Sequence, residues 1–152
     1  MFENKDLLMM MSECVIEVEK LKYEVNPILS VKFTKGRKNT LAYLKLDSKC
    51  SYNPYGNQYD DVQYRMCVNE IFENLSDDYY QDLKTLIMHE VVHAIKIDPS
   101  RKNYPHPYLL HSELYDEITK EIENVYGYRD INSKEKDINK LPRLSKYFIQ
   151  HV

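Results

Sequence analysis

The stretch MHEVVHAIK, residues 88–96, sets two histidines four positions apart, with a glutamate directly after the first. On an α-helix, residues four apart share a face and lie about 6 Å from one another along the axis. His89 and His93 can therefore aim two ring nitrogens at one metal ion. Glu90, turned by about 100° from His89, is placed to lean toward a water on that ion and take its proton. The ion would bring the pKa of that water toward about 7 and polarise a carbonyl. The plain alternative is an amphipathic helix that happens to carry two imidazoles. With five histidines in the chain, the pattern arises by chance about once in a hundred such sequences. Its surroundings count against accident. Leu86, Ile87, Val91, Ala94 and Ile95 form an apolar run, and imidazoles and a carboxylate buried there are costly unless something satisfies them. A metal satisfies all three.

Outward from this motif, ENLSDDYYQ (73–81) reads as the start of the same helix, with Ser76 or Asp77 as its cap. Pro99 should stop the helix by Asp98. Leu7, Met11, Cys14, Val18, Leu21 and Val25 recur at helical spacing and predict an N-terminal helix ending before Asn26-Pro27. Three strands are expected, at ILSVKF (28–33), TLAYLKLD (40–47) and VQYRMCVNEIF (62–72), with turn signals throughout 49–61. A last helix is expected from about Pro107 to Tyr126, with Leu110, Leu114, Ile118, Ile122 and Val125 inward and Gly127 past its end. The architecture is then α+β: a small antiparallel three-stranded sheet packed with an N-terminal helix, the motif helix and a C-terminal helix. One domain spans 1–152, its core about 1–127 and a charged tail from 128 to 152.

A zinc site usually needs a third protein ligand. Asp98, His106, His111, Glu113, Asp116 and Glu117 are the downstream candidates. His106 lies between Pro105 and Pro107, in an expected loop. His111 falls on the expected stripe with Tyr115, Ile118 and Ile122, which faces the core and so points toward the motif helix.

With KTLIMHEVVHAI (84–95) and HSELY (111–115), the chain resembles the SprT-like zinc metallopeptidases over roughly residues 28–126. The resemblance implies a zincin-like domain, with His89, His93 and His111 binding Zn2+, Glu90 as general base, and a protein or peptide as substrate. The family usually has glycines beside the third histidine, where this chain has Leu110 and Ser112. Many members also carry a cysteine zinc ribbon, which has no counterpart in the basic tail here.

Composition narrows the field. Cys14, Cys50 and Cys67 are odd in number and far apart, which argues against a disulfide framework or a cysteine zinc ribbon. They are expected to be reduced, and neither Cys50 nor Cys67 has local support as a nucleophile. No apolar run approaches the roughly 20 residues of a membrane span, and residues 1–20 lack the marks of a signal peptide. A cytoplasmic protein without membrane contact is expected. The net charge of -3 gives no global pull toward nucleic acid. Lys32, Lys35, Arg37 and Lys38 do form a basic turn that DNA phosphates would attract, although a solvated loop is the commoner reading of such turns. Tyr108 and Tyr115 are placed to donate to a developing oxyanion, but in a chain of fourteen tyrosines a structural role is commoner. The expected function is zinc-dependent peptide-bond hydrolysis. The rival is a non-proteolytic binding protein, acting on DNA or a protein partner, in which the metal is structural.

Overall fold

The computed structural model describes residues 1–35, 40–56, 58–97 and 107–132. The elements run α1 (Asn4–Lys20), β1 (Ile28–Thr34), β2 (Ala42–Leu46), β3 (Ser51–Asn53), β4 (Gln58–Asp60), β5 (Tyr64–Asn69), two 3-10 turns (Glu70–Asn74 and Asp77–Tyr79), α2 (Tyr80–His93) and α3 (Glu113–Tyr126). The class is α+β, with three helices and a small sheet, as the hydrophobic periods imply.

The sheet is mixed, which corrects the antiparallel expectation. Its order is β1-β5-β2, with β5 parallel to β1 and antiparallel to β2. Geometry forces this. β1 and β2 run in opposite directions, so a strand inserted between them must be parallel to one of them. The register aligns Val31, Met66 and Leu44 in one row and Phe33, Val68 and Ala42 in the next. Tyr64, Met66 and Val68 of the central strand are fully buried on this face, as period-two alternation requires. On the other face Arg65 reaches Ser30 and makes an ion pair with Asp47 at 3.0 Å. A second sheet, absent from the sequence expectation, pairs β3 with β4 inside 49–61. Turn residues there join two very short strands, and the Tyr52 and Tyr59 rings meet across them at 5.1 Å.

α1 packs against α2 and β1, while α2 packs against β2. Leu7, Met10, Met11, Cys14 and Val18 form the buried side of α1. α1 stops at Lys20, earlier than Asn26-Pro27, and Lys22 takes a left-handed φ of 75°. The freed segment pairs with the residues after α2: the Asn26 N–H donates to the Ala94 carbonyl (2.9 Å), and that of Lys96 to the Glu24 carbonyl (2.7 Å). This pairing also ends α2 at His93, well short of Pro99. α2 begins late as well, because Ser76 precedes a 3-10 turn and makes no side-chain cap. The expected tail boundary at 127 moves outward, since Tyr128 and Ile131 are both buried in the core. No helix of the described residues is long and apolar enough to cross a membrane.

Candidate metal centre

His89, His93 and His111 come together: one ligand atom from each lies within 4.8 Å of the others. They are the metal-capable group among the described residues. The ring centroids are 4.8 Å apart for His89–His93, 5.1 Å for His89–His111 and 4.6 Å for His93–His111. The helical spacing that brings the first two together works as expected, although His93 is the last residue of α2 rather than mid-helix.

His111 arrives by a different route from the one its sequence position suggests. It is not on α3. Ser112 is the N-cap, extended at φ -161° and ψ 176°, and its Oγ accepts from the Tyr115 N–H at 3.3 Å. The Ser112 cap and the acidic Glu113 and Asp116 of the first turn are a start signal legible in the sequence. The expected stripe of Tyr115, Ile118 and Ile122 is buried, but His111 sits in the loop before it and is exposed. Burial therefore does not account for its position.

Hydrogen bonding settles which ring nitrogens face the centre. His89 Nδ1 lies 2.7 Å from the Ile131 carbonyl, and His93 Nδ1 lies 2.6 Å from the Leu109 carbonyl. A carbonyl oxygen only accepts, so each Nδ1 carries the proton and each Nε2 presents a lone pair when the ring is neutral. The two Nε2 atoms are 3.1 Å apart. Two lone pairs at that distance repel unless a cation, either a proton or a metal ion, lies between them. Two ligands on a tetrahedral ion at 2.0–2.1 Å would stand about 3.3 Å apart. The observed separation already fits. His111 Nδ1 lies 3.3 Å from Asn132 Oδ1, so Nδ1 donates and the Nε2 lone pair is left for a metal. Ligating histidines characteristically anchor the second nitrogen on an oxygen in this way.

The supports come from all around the centre. The Leu109 N–H donates to the His93 carbonyl at 3.0 Å, so these two residues grip each other through main chain and side chain. The Tyr64 hydroxyl, from the central strand, donates to the Pro107 carbonyl and fixes the start of this loop. The Tyr115 hydroxyl donates to the His89 carbonyl (2.9 Å) and accepts from His89 Nδ1 (2.8 Å). Tyr115 is thus committed to orienting His89 rather than to an oxyanion. The Tyr108 hydroxyl points to the Leu44 carbonyl at 3.4 Å, and its ring lies 5.2 Å from that of Tyr64. Glu90 is buried on α2. Burial first, and then the Glu90 carboxylate, push the Tyr115 phenol well above its ordinary range. Tyr108 moves in the same direction, with burial the largest cause and Cys50 and Glu90 adding to it. The charge of the base candidate therefore bears on both tyrosines.

The other candidates fall elsewhere. Glu113 and Glu117 are exposed on α3, and Asp116 bonds Asn132. Asp98 and His106 lie outside the described residues, as do Arg37 and Lys38. Lys32 and Lys35 are exposed on β1 and just past its end. β1 is the sheet edge opposite β2, against which α2 packs. Burial raises the Cys50 thiol pKa, the reverse of what a nucleophile needs. Leu109 and Ile131 were not anticipated, because main-chain carbonyls carry no sequence signature, and Asn132 acts through a side chain 21 residues from His111, with no motif to mark it. No family model matches the sequence, and neither curated proteins nor solved structures give a match.

Proposed function

We propose that this chain is a zinc-dependent metallopeptidase of the SprT-like, zincin-like kind. His89, His93 and His111 hold the metal, Glu90 is the general base, and a protein or peptide is the substrate. The observation that carries this reading is the convergence of three imidazoles whose Nδ1 atoms all face oxygens, with a buried glutamate next in sequence to the first. Three nitrogen donors are a ligand set of catalytic zinc, which takes a water as its fourth ligand. Zinc bound there would lower the pKa of a water toward about 7 and polarise the scissile carbonyl. The Glu90 carboxylate takes the proton of the attacking water and delivers it to the leaving amine.

The rival reading keeps the metal but makes it structural, in a protein that binds DNA or a protein partner. Glu90 separates the two, because a structural site has no use for a base. Elemental analysis should find about one zinc per chain, lost in His89→Ala and in His93→Ala. Glu90→Gln should keep zinc and fold but cleave an unstructured protein substrate at least 10²-fold more slowly. Assays with and without DNA address the basic turn. If Lys32, Lys35, Arg37 and Lys38 bind phosphate, affinity falls steeply with salt and again when all four are neutralised. Full zinc in both histidine variants would end the metal reading. Parental cleavage by Glu90→Gln would end the base assignment.

A further inference from the structure

Two of the three histidines take their orientation from consecutive residues far along the chain. Gly127 closes α3 with a φ of 82°, and Asp130, at φ 58°, turns the backbone again. Between them Tyr128 is buried, and its hydroxyl donates to Glu17 Oε1 at 2.7 Å, tying this segment to α1. The two left-handed turns return Ile131 to the core, where its side chain is fully buried and its carbonyl meets His89 Nδ1. Asn132 follows directly. Its Oδ1 faces His111 Nδ1, and its Nδ2 donates to Asp116 Oδ1 in the first turn of α3.

This chain of contacts has only one sensible polarity. A carboxylate accepts and does not donate, so Asn132 must turn its NH2 toward Asp116 and its oxygen toward His111. The oxygen then requires a proton on His111 Nδ1 and leaves Nε2 for the metal. His111 is exposed and lies before the helix, and its ring meets those of His89, His93 and Tyr115 at 4.6–5.1 Å; Asn132 adds the polar contact that selects which of its nitrogens turns inward. We propose that Ile131 and Asn132, anchored by Tyr128, form a clasp that positions His89 and His111 for metal, Asn132 setting the ring orientation of His111 through Asp116. The proposal rests on the three histidines being a metal site. It adds that the segment after α3 belongs to that site.

The test uses the full chain, with Zn2+ affinity measured by competition against a chromophoric chelator and coordination read from the visible spectrum of the Co2+ form. Asn132→Leu keeps the size of the side chain but removes both polar contacts, and should weaken zinc binding by about 10–100-fold and alter the Co2+ spectrum. Asn132→Asp alone should weaken it as well, because two carboxylates then face each other. Exchanging the pair, Asp116→Asn together with Asn132→Asp, restores one donor and one acceptor in swapped places and should recover affinity and spectrum. A merely structural role for Asn132 predicts lower stability in Asn132→Leu with the Co2+ spectrum of the bound metal unchanged. Parental affinity and spectrum in Asn132→Leu would overturn the clasp while leaving the metal site standing. So would an exchanged pair that binds as weakly as Asn132→Asp, even if Asn132→Leu fails to fold. A parent chain that binds neither ion, or binds equally well as His93→Ala, would overturn the metal site and the clasp together.

Discussion

At Tyr115 one hydroxyl serves both ends of His89, donating to its carbonyl at 2.9 Å and accepting from its Nδ1 at 2.8 Å. The ring is fully buried, so water cannot replace a lost contact. Tyr115→Phe keeps the packing and removes only the hydroxyl. The expected cost is about 1–2 kcal/mol, the usual loss when a buried polar group loses a partner. His89 keeps its contact with the Ile131 carbonyl, so the variant should still take up metal. Urea unfolding in the presence of a chelator measures the first effect, and zinc titration the second. An unfolding midpoint equal to the parent's would show that the hydroxyl contributes nothing to the apo fold.

At the scale of elements, the site lies where helices end. α2 ends on one candidate ligand, α3 begins two residues after another, and the turn that closes α3 launches the segment contacting both His89 and His111. Gly127 is the pivot of that turn. With its φ of 82°, a Cβ there would meet nothing within 4 Å, so a substitution costs backbone strain and no clash. Gly127→Ala should destabilise the chain by about 1 kcal/mol. Gly127→Asn should cost less, because asparagine tolerates the left-handed region. Thermal unfolding of the two variants side by side gives the comparison, and the same order should appear in zinc affinity if the turn sets the clasp. Equal stabilities of both variants and the parent would mean that the turn is not rigidly specified.

Over the whole molecule, α1, α2 and the segment after α3 meet in a half-buried polar cluster. Lys84 of α2 pairs with Glu13 at 3.0 Å and Glu17 at 3.4 Å on α1, and Cys14 Sγ lies 3.7 Å from the Tyr128 hydroxyl. Burial is the main cause that pushes the Cys14 thiol from its ordinary 9.0 up to about 12. Burial also raises Tyr128 well above 10.0, and there the neighbouring Cys14 and Glu17 add to the effect. Both folded values are raised, so the unfolded chain releases these protons first as pH climbs. Their contribution is complete below about pH 9 and is lost as pH rises toward 12. Stability should therefore fall through that alkaline window, by about 1.4 kcal/mol per pH unit for each proton retained only in the fold. Cys14→Ala removes one such group and should flatten the slope by up to one proton, whatever it does to absolute stability. Denaturation midpoints from pH 9 to pH 11.5 supply the slopes, and identical slopes would remove Cys14 as the cause.

Local order was legible in the residues because it depends on neighbours along the chain. Helical spacing alone puts His89 and His93 on one face, and the periods of α1, β1, β2 and β5 mark those elements to within a few residues. Tertiary contacts decided the rest. The insertion of β5 between β1 and β2 made the sheet mixed, and the pairing of residues 24–26 with 94–96 cut α2 off at His93. The Ser112 cap moved His111 off the helix that was expected to carry it, yet its ring still reached the other two. The carbonyls of Leu109 and Ile131 then fixed which nitrogens of His93 and His89 face inward. Every residue has such a carbonyl, so only the fold can select which one meets an imidazole.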